Sequence, residues 1–254
     1  MSPADVAPTD PARTADSADA ADVPGRLLTS GSSADLYALD DDRVLRRYRD
    51  GRDVGPERAL LDHLAAHGFP APRVHGDAGP GLVMDWLHGP TMLQALGAGE
   101  MSLHDAGDLL ADLHRRLHAV PPPLGWHAAG LPAGAPSGPV VVHLDLHPGT
   151  VVLSERGPHV VDWSHARLGT PELDVAVTSL VVAEVVVDAG GDYSQAARAL
   201  LASFLHASGT NPLPALDEAA ALRAADPQLV PGERELVHDA AALVRTLVEL
   251  TTHP

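Results

Sequence analysis

The run His143-Leu144-Asp145-Leu146-His147-Pro148-Gly149-Thr150 lies between Val140-Val141-Val142 and Val151-Val152-Leu153, and its reading decides the fold. Buried strands do not normally alternate His, Asp and His, because charged groups are costly to take out of water. A period of two sets His143, Asp145 and His147 on one face of a strand, so the segment reads as a site rather than as core. Downstream, Val160-Val161-Asp162-Trp163 ends a second apolar strand on a carboxylate. Val151-Val152-Leu153 and Val160-Val161 read as a hairpin around Glu155-Arg156-Gly157-Pro158, which puts Asp145 and Asp162 at the ends of adjacent strands. Such a pair suits phosphoryl transfer: one carboxylate orients an attacking hydroxyl and the other holds magnesium against phosphates.

Upstream of this run, Ser102 reads as the N-cap of a long helix whose buried face is Leu109, Leu110, Leu113 and Leu117. Pro121-Pro122-Pro123 stops that helix. His114 and His118 fall four apart on it and read as surface polarity. Earlier, Gly31-Ser32-Ser33 is a turn between strands, and Leu36 to Leu39 and Val44 to Tyr48 form a hairpin around Asp40-Asp41-Asp42. Pro56 starts a helix with an apolar stripe of Leu60, Leu61, Leu64 and Ala65, which Gly68 closes. Leu82-Val83-Met84 is a strand, and Gly89-Pro90 breaks the chain. From Leu173 onward the pattern is mostly helical. The expected organisation is a tail over 1–24 too poor in large apolar residues to order, a strand-rich N-lobe over 25–88 and a helical C-lobe over 89–254.

The chain has 254 residues, 45% of them hydrophobic, enough for one domain or two small lobes. It has no cysteine, which excludes disulfides, thiolate nucleophiles and Cys-based zinc sites. All 17 basic residues are arginine. The net charge of −17 argues against a nucleic-acid partner and favours a cationic one. The most apolar stretch, Val175 to Val187, is too short to cross a bilayer and contains Glu184, so it reads as a buried helix, with no membrane role. No secretory signal is visible, and a cytoplasmic location is expected. The oligomeric state is not readable.

The segments HLDLHPGTVVL and VVDWSHARLGTPELDVA resemble the aminoglycoside phosphotransferase and choline kinase-like family, whose pattern is H-G-D-x-H-x-x-N, a hairpin, then I-D-[WF]. The resemblance runs from about Gly25 to Asp188. It implies an α+β, two-lobed fold related to the protein kinases, and ATP-dependent transfer of a phosphoryl group to a hydroxyl of an aminoglycoside, an amino alcohol or a sugar. GTP stays open beside ATP. By resemblance, Asp145 is the catalytic base, His143 braces its loop, Asp162 holds magnesium, and His147 and Pro148 shape the loop. Asp174 is then a structural hydrogen-bond acceptor. The resemblance puts Gly31, Ser32 and Ser33 over the phosphates, Arg46 in place of a strand lysine with Glu57 as its partner, and Met84, Asp85, Trp86 and Leu87 beside the base.

Three departures stand out. Leu144 replaces the usual glycine, Arg46 the lysine, and Thr150 the asparagine that is the second metal ligand. The acceptor is left to the region after Leu173 and to the loop from Pro121 to Gly138. Two alternatives stay open: a catalytically weakened relative that binds nucleotide, and a metal hydrolase using His143, Asp145 and His147.

Overall fold

The computed structural model describes residues 25–31, 33–127, 138–188, 190–227, 229 and 232–252. The tail over 1–24, Ser32 and most of the loop from Pro121 to Gly138 lie outside the described residues.

The N-terminal part is an antiparallel five-stranded sheet in the order β1-β2-β3-β5-β4. It comprises β1 (Arg26–Ser30), β2 (Ala34–Ala38), β3 (Arg43–Tyr48), β4 (Val74–Asp77) and β5 (Gly81–Asp85). The expected hairpin is β2 with β3, in register Leu36 to Arg46. The short strand β4 carries no alternation of apolar and polar residues, and the sequence gives no sign of it. Helix α1 (Gly55–Ala66) has proline in its first turn, buries Leu60, Leu61 and Leu64, and ends at Gly68 with φ +70°. Ala65 faces solvent, which narrows the expected stripe.

The rest is helical around two small hairpin-like sheets. Helix α2 (Met92–Gly97) leads to α3 (Leu103–His118), capped as expected by Ser102, whose hydroxyl accepts from Asp105 N. Leu110, Leu113 and Leu117 are buried, whereas Leu109 is only half-buried. Strand β6 (Val140–Val142) pairs with β9 (Arg167–Gly169), and β7 (Val151–Ser154) with β8 (Gly157–Val160). The hairpin turn is therefore Glu155-Arg156 alone, and Gly157 and Pro158 belong to β8. Helices α4 (Pro171–Asp188), α5 (Gly191–Ser208), α6 (Leu216–Ala225) and α7 (Glu233–Thr252) complete the chain. The apolar stretch is α4, which packs against α5, α6 and α7 as a buried central helix. No helix among the described residues is long and apolar enough to cross a membrane.

Backbone contacts join the two parts. Val160 N donates to Pro70 O (2.8 Å), and Leu153 N to Pro90 O (2.8 Å). The Trp126 indole donates to Pro56 O (2.7 Å). These ties hold the N-terminal sheet and α1 against β7, β8 and the segment before β6.

Helices α3 and α5 approach closely at Gly107, where an added Cβ would lie 2.5 Å from Ser203 Oγ and 2.8 Å from the Phe204 backbone nitrogen. Helix propensity alone favours alanine over glycine by about 1 kcal/mol. We expect the opposite sign here: Gly107→Ala should destabilise the protein by roughly 1–3 kcal/mol, because overpacking dominates. Urea unfolding measures it, and a stabilised variant would show that the helices separate easily.

Candidate active site

The site is organised by the loop after β6. The strand ends at Val142, and Leu144 turns the chain with φ +62°. His143, Asp145 and His147 therefore do not line one face of a strand, as their alternation suggested. The left-handed region costs a branched residue about 1–2 kcal/mol, and the surroundings impose it. The Asp174 carboxylate, fully buried in the first turn of α4, accepts from His143 N (3.1 and 3.2 Å) and Leu144 N (2.8 Å). Beyond Asp145, Thr178 Oγ1 donates to Leu146 O (2.7 Å).

Both anchors continue into α3. His118 Nε2 lies 2.9 Å from Asp174, and His114 Nε2 lies 3.1 Å from Thr178 Oγ1. These histidines are not surface polarity: His114 is buried, and His118 has only a tenth of its side chain exposed. Sequence spacing located them on one face but gave no sign that α4 covers it.

His143 is fully buried and bridges the two acidic segments. Its Nδ1 accepts from Asp145 N (3.2 Å), its Nε2 lies 3.1 Å from Val161 O, and its ring meets the Trp163 edge at 4.6 Å. Both ring nitrogens are thus engaged, which removes the basis of the metal-hydrolase reading. No group of three or more His, Asp or Glu among the described residues is arranged to hold a metal by itself. Asp162 follows β8 with φ +66°. Because β6 and β8 belong to different two-stranded sheets, the two carboxylates come from separate sheets, not from neighbouring strands, and they line different cavities.

His147 Nδ1 accepts from Gly149 N (3.0 Å), and Pro148 is buried in the turn that follows. Thr150 is buried too. Its hydroxyl reaches the carbonyls of Asp145 (2.8 Å) and His147 (3.0 Å) and accepts from His147 N (3.0 Å).

A cleft of about 370 Å³ opens between the sheet on one side and β7 with the segment after β8 on the other, and no residue of the loop after β6 lines it. Gly31, Ser33, Arg46, Glu57, Met84, Asp85, Trp86, Leu87 and Asp162 all line it. Arg46 Nη1 lies 3.4 Å from Glu57, while Nη2 makes a close ion pair with Asp162. In the linker, Asp85 N and Trp86 N donate to Arg73 O (3.0 Å) and Asp42 O (2.7 Å). Asp85 also bonds His75 Nε2 (2.7 Å) and Arg156 Nη2 (3.3 Å), tying β5 to β4 and to the β7–β8 turn.

The two carboxylates have opposite electrostatic settings. Burial works against ionising Asp162, but the Arg46 charge and hydrogen bond and the Ser164 hydroxyl (2.8 Å) outweigh it and hold it well below the usual range. Asp145 is pushed up to about 7, first by burial and then by the Asp162 charge, with Arg223 opposing. Burial pushes His143 and His147 down to about 4, so both are neutral at pH 7. One carboxylate is firmly anionic and the other poised near neutrality, the pattern expected of a metal-binding group beside a proton acceptor. The donor set at Asp162 suits an oxygen-seeking ion that takes most of its ligands from phosphates and water.

Asp145 and His147 also line a second cavity of about 410 Å³, with Glu184, Asp188, Arg223, Asp226 and Glu233. The Arg223 guanidinium is fixed on Glu184 by bonds of 3.0–3.3 Å. Neither residue is a site candidate in the sequence. The signal for Glu184 was there, a lone charge in the apolar run of α4. Arg223 carried none.

The model of the phosphotransferase enzyme family matches residues 24–133 and 124–204. No curated protein matches the chain. Among solved structures, a thermostable mutant of the aminoglycoside phosphotransferase APH(4)-Ia, in ternary complex with AMP-PNP and hygromycin B, is similar at 16% identity and a TM-score of 0.59, over 88% of this chain and 92% of that one. A gentamicin complex of APH(2")-IIa is similar at 15% identity and a TM-score of 0.55, over 87% and 90%. A choline/ethanolamine kinase family protein from Mesorhizobium loti is similar at 16% identity and a TM-score of 0.55, over 90% of each chain. At these identities the likeness shows a common two-lobed fold.

Proposed function

The chain belongs to the phosphotransferase enzyme family, and from that premise we propose that it moves the terminal phosphoryl group of ATP to a hydroxyl of a small molecule. One observation carries the reading. Residues from the β1–β2 turn, β3, α1, the linker after β5 and the end of β8 meet in a single cleft, and Asp145 lines a second cavity from the loop after β6. The solved relatives with AMP-PNP and with ADP support ATP as donor.

In this reading the linker receives the base, and Arg46, steadied by Glu57, meets the phosphates. Asp162 would hold a magnesium ion, which supplies charge neutralisation for the phosphates when bound. Thr150 would have to release the Asp145 carbonyl to join it. Asp145 accepts the proton of the acceptor hydroxyl as its oxygen bonds to the terminal phosphorus and the bond to the ADP oxygen breaks. His143 holds the Asp145 amide, so the base keeps its position. Five carboxylates against one arginine in the second cavity favour a cationic acceptor, such as an aminoglycoside or amino alcohol.

The base must be ionised to accept a proton, and Asp145 lies at about 7. Acceptor-dependent ADP release is therefore expected to rise with pH and to level off above about 8. A rate independent of pH between 5 and 9 would remove Asp145 from the rate-limiting proton transfer. One observation favours a second reading, a nucleotide binder with little turnover: the Thr150 hydroxyl is engaged inside the loop. ADP release measured across a panel of aminoglycosides, amino alcohols and sugars separates the two.

A further inference from the structure

Tyr48, at the end of β3, is 1% exposed, although its hydroxyl is polar. That hydroxyl donates to Glu57 Oε2 in a short hydrogen bond. The other Glu57 oxygen, Oε1, is the one facing Arg46 at 3.4 Å. Two guanidinium groups lie over the Tyr48 ring, with Arg46 Cζ 5.0 Å and Arg52 Cζ 4.6 Å from its centroid. Tyr48 thus touches Arg46 twice, through its ring and through Glu57.

The arrangement follows from having arginine at position 46. A lysine ammonium is a point charge, whereas a guanidinium is a planar fork that can serve two partners at once. Arg46 uses one end on Glu57 and the other on Asp162. Its charge is shared between two carboxylates, so Glu57, whose side chain is 9% exposed, is only partly compensated. A buried carboxylate needs further donors. Tyr48 supplies one, and its ring adds a cation–π contact to the guanidinium.

We propose that Tyr48 is a positioning residue for nucleotide binding: by holding Glu57 and stacking on Arg46, it fixes the guanidinium that links the sheet to Asp162. The proposal rests on the reading of this cleft as the nucleotide site.

A double-mutant cycle tests it, with Tyr48→Phe and Glu57→Ala measured singly and together by calorimetric titration of magnesium AMP-PNP. Tyr48→Phe keeps the ring and removes only the hydroxyl. It is expected to weaken binding roughly tenfold, the scale of a lost hydrogen bond to a charged group, and to cause no further loss once Glu57 is alanine. Unchanged affinity, or the same loss in both backgrounds, would overturn the role. The melting temperatures of the four nucleotide-free proteins give a second reading of the same coupling. A parent protein that binds no magnesium AMP-PNP would overturn the phosphotransferase reading. It would remove the nucleotide-binding role of Tyr48 with it, and the melting cycle would then report only the Tyr48–Glu57 contact in the fold: non-additive shifts support that contact, and additive shifts refute it.

Discussion

Asp145→Asn is expected to lower phosphoryl transfer by about 10²–10⁴-fold, the usual contribution of a positioned base, while leaving magnesium ATP affinity close to that of the parent. The same substitution is expected to stabilise the protein above pH 7. Burial and the neighbouring Asp162 raise the folded-state value of Asp145 to about 7 from 3.8. The neutral form is therefore the one the fold favours. Its contribution is fully present below the unfolded value and is lost as pH rises through about 7. A side chain that is 23% exposed keeps some solvation, so the gain for asparagine at pH 8 is on the order of 2–4 kcal/mol. Urea unfolding at pH 5 and pH 8 measures it. A variant that turns over like the parent would show that Asp145 is not the base, and one no more stable at pH 8 would show that the fold does not disfavour its charge.

The largest stability loss is expected at Asp174. Its carboxylate accepts from two backbone amides and from His118, and no other partner for these groups is found among the described residues, at a position with no exposure. Burial opposes its ionisation, yet the His118 hydrogen bond and the charges of His114 and His118 hold it well below the usual range. Its stabilising effect is therefore present above the unfolded value and is lost only in strong acid. Asp174→Ala leaves the His143 and Leu144 amides buried without a partner and frees Leu144 from its left-handed conformation. The expected cost is about 3–5 kcal/mol, with activity lost in parallel. Asp174→Asn, which keeps an acceptor oxygen, should cost less. A loss below about 1 kcal/mol for alanine would mean that the loop is held by other contacts, the Thr178 bond to Leu146 first among them.

The same loop marks how far the sequence could be read. Asp145 and Asp162 stand out because a carboxylate at the end of a valine run has no structural excuse, and two such runs with a hairpin between them identify the fold. Helix starts at Pro56 and Ser102 were legible because caps are local chemistry. Whether a helix face is covered is not local. His114 and His118 have the spacing of a polar face, and only the arrival of α4 turns them into buried supports of the loop. The path of the chain through His143 to His147 was misread for a related reason. Alternation implies a strand, but the Asp174 carboxylate, about thirty residues away, holds two successive amides and forces the turn at Leu144. Arg223 was invisible because its meaning depends on which carboxylate, Glu184, it meets across the cavity.

The most direct test of the assignment is transfer from γ-labelled ATP, with magnesium, to a panel of aminoglycosides, amino alcohols and sugars, run with the parent protein and with Asp145→Asn. The geometry predicts a labelled acceptor and stoichiometric ADP with the parent and almost none with the variant. Equal labelling by both proteins, or a parent that neither labels any acceptor nor binds magnesium ATP, would contradict it.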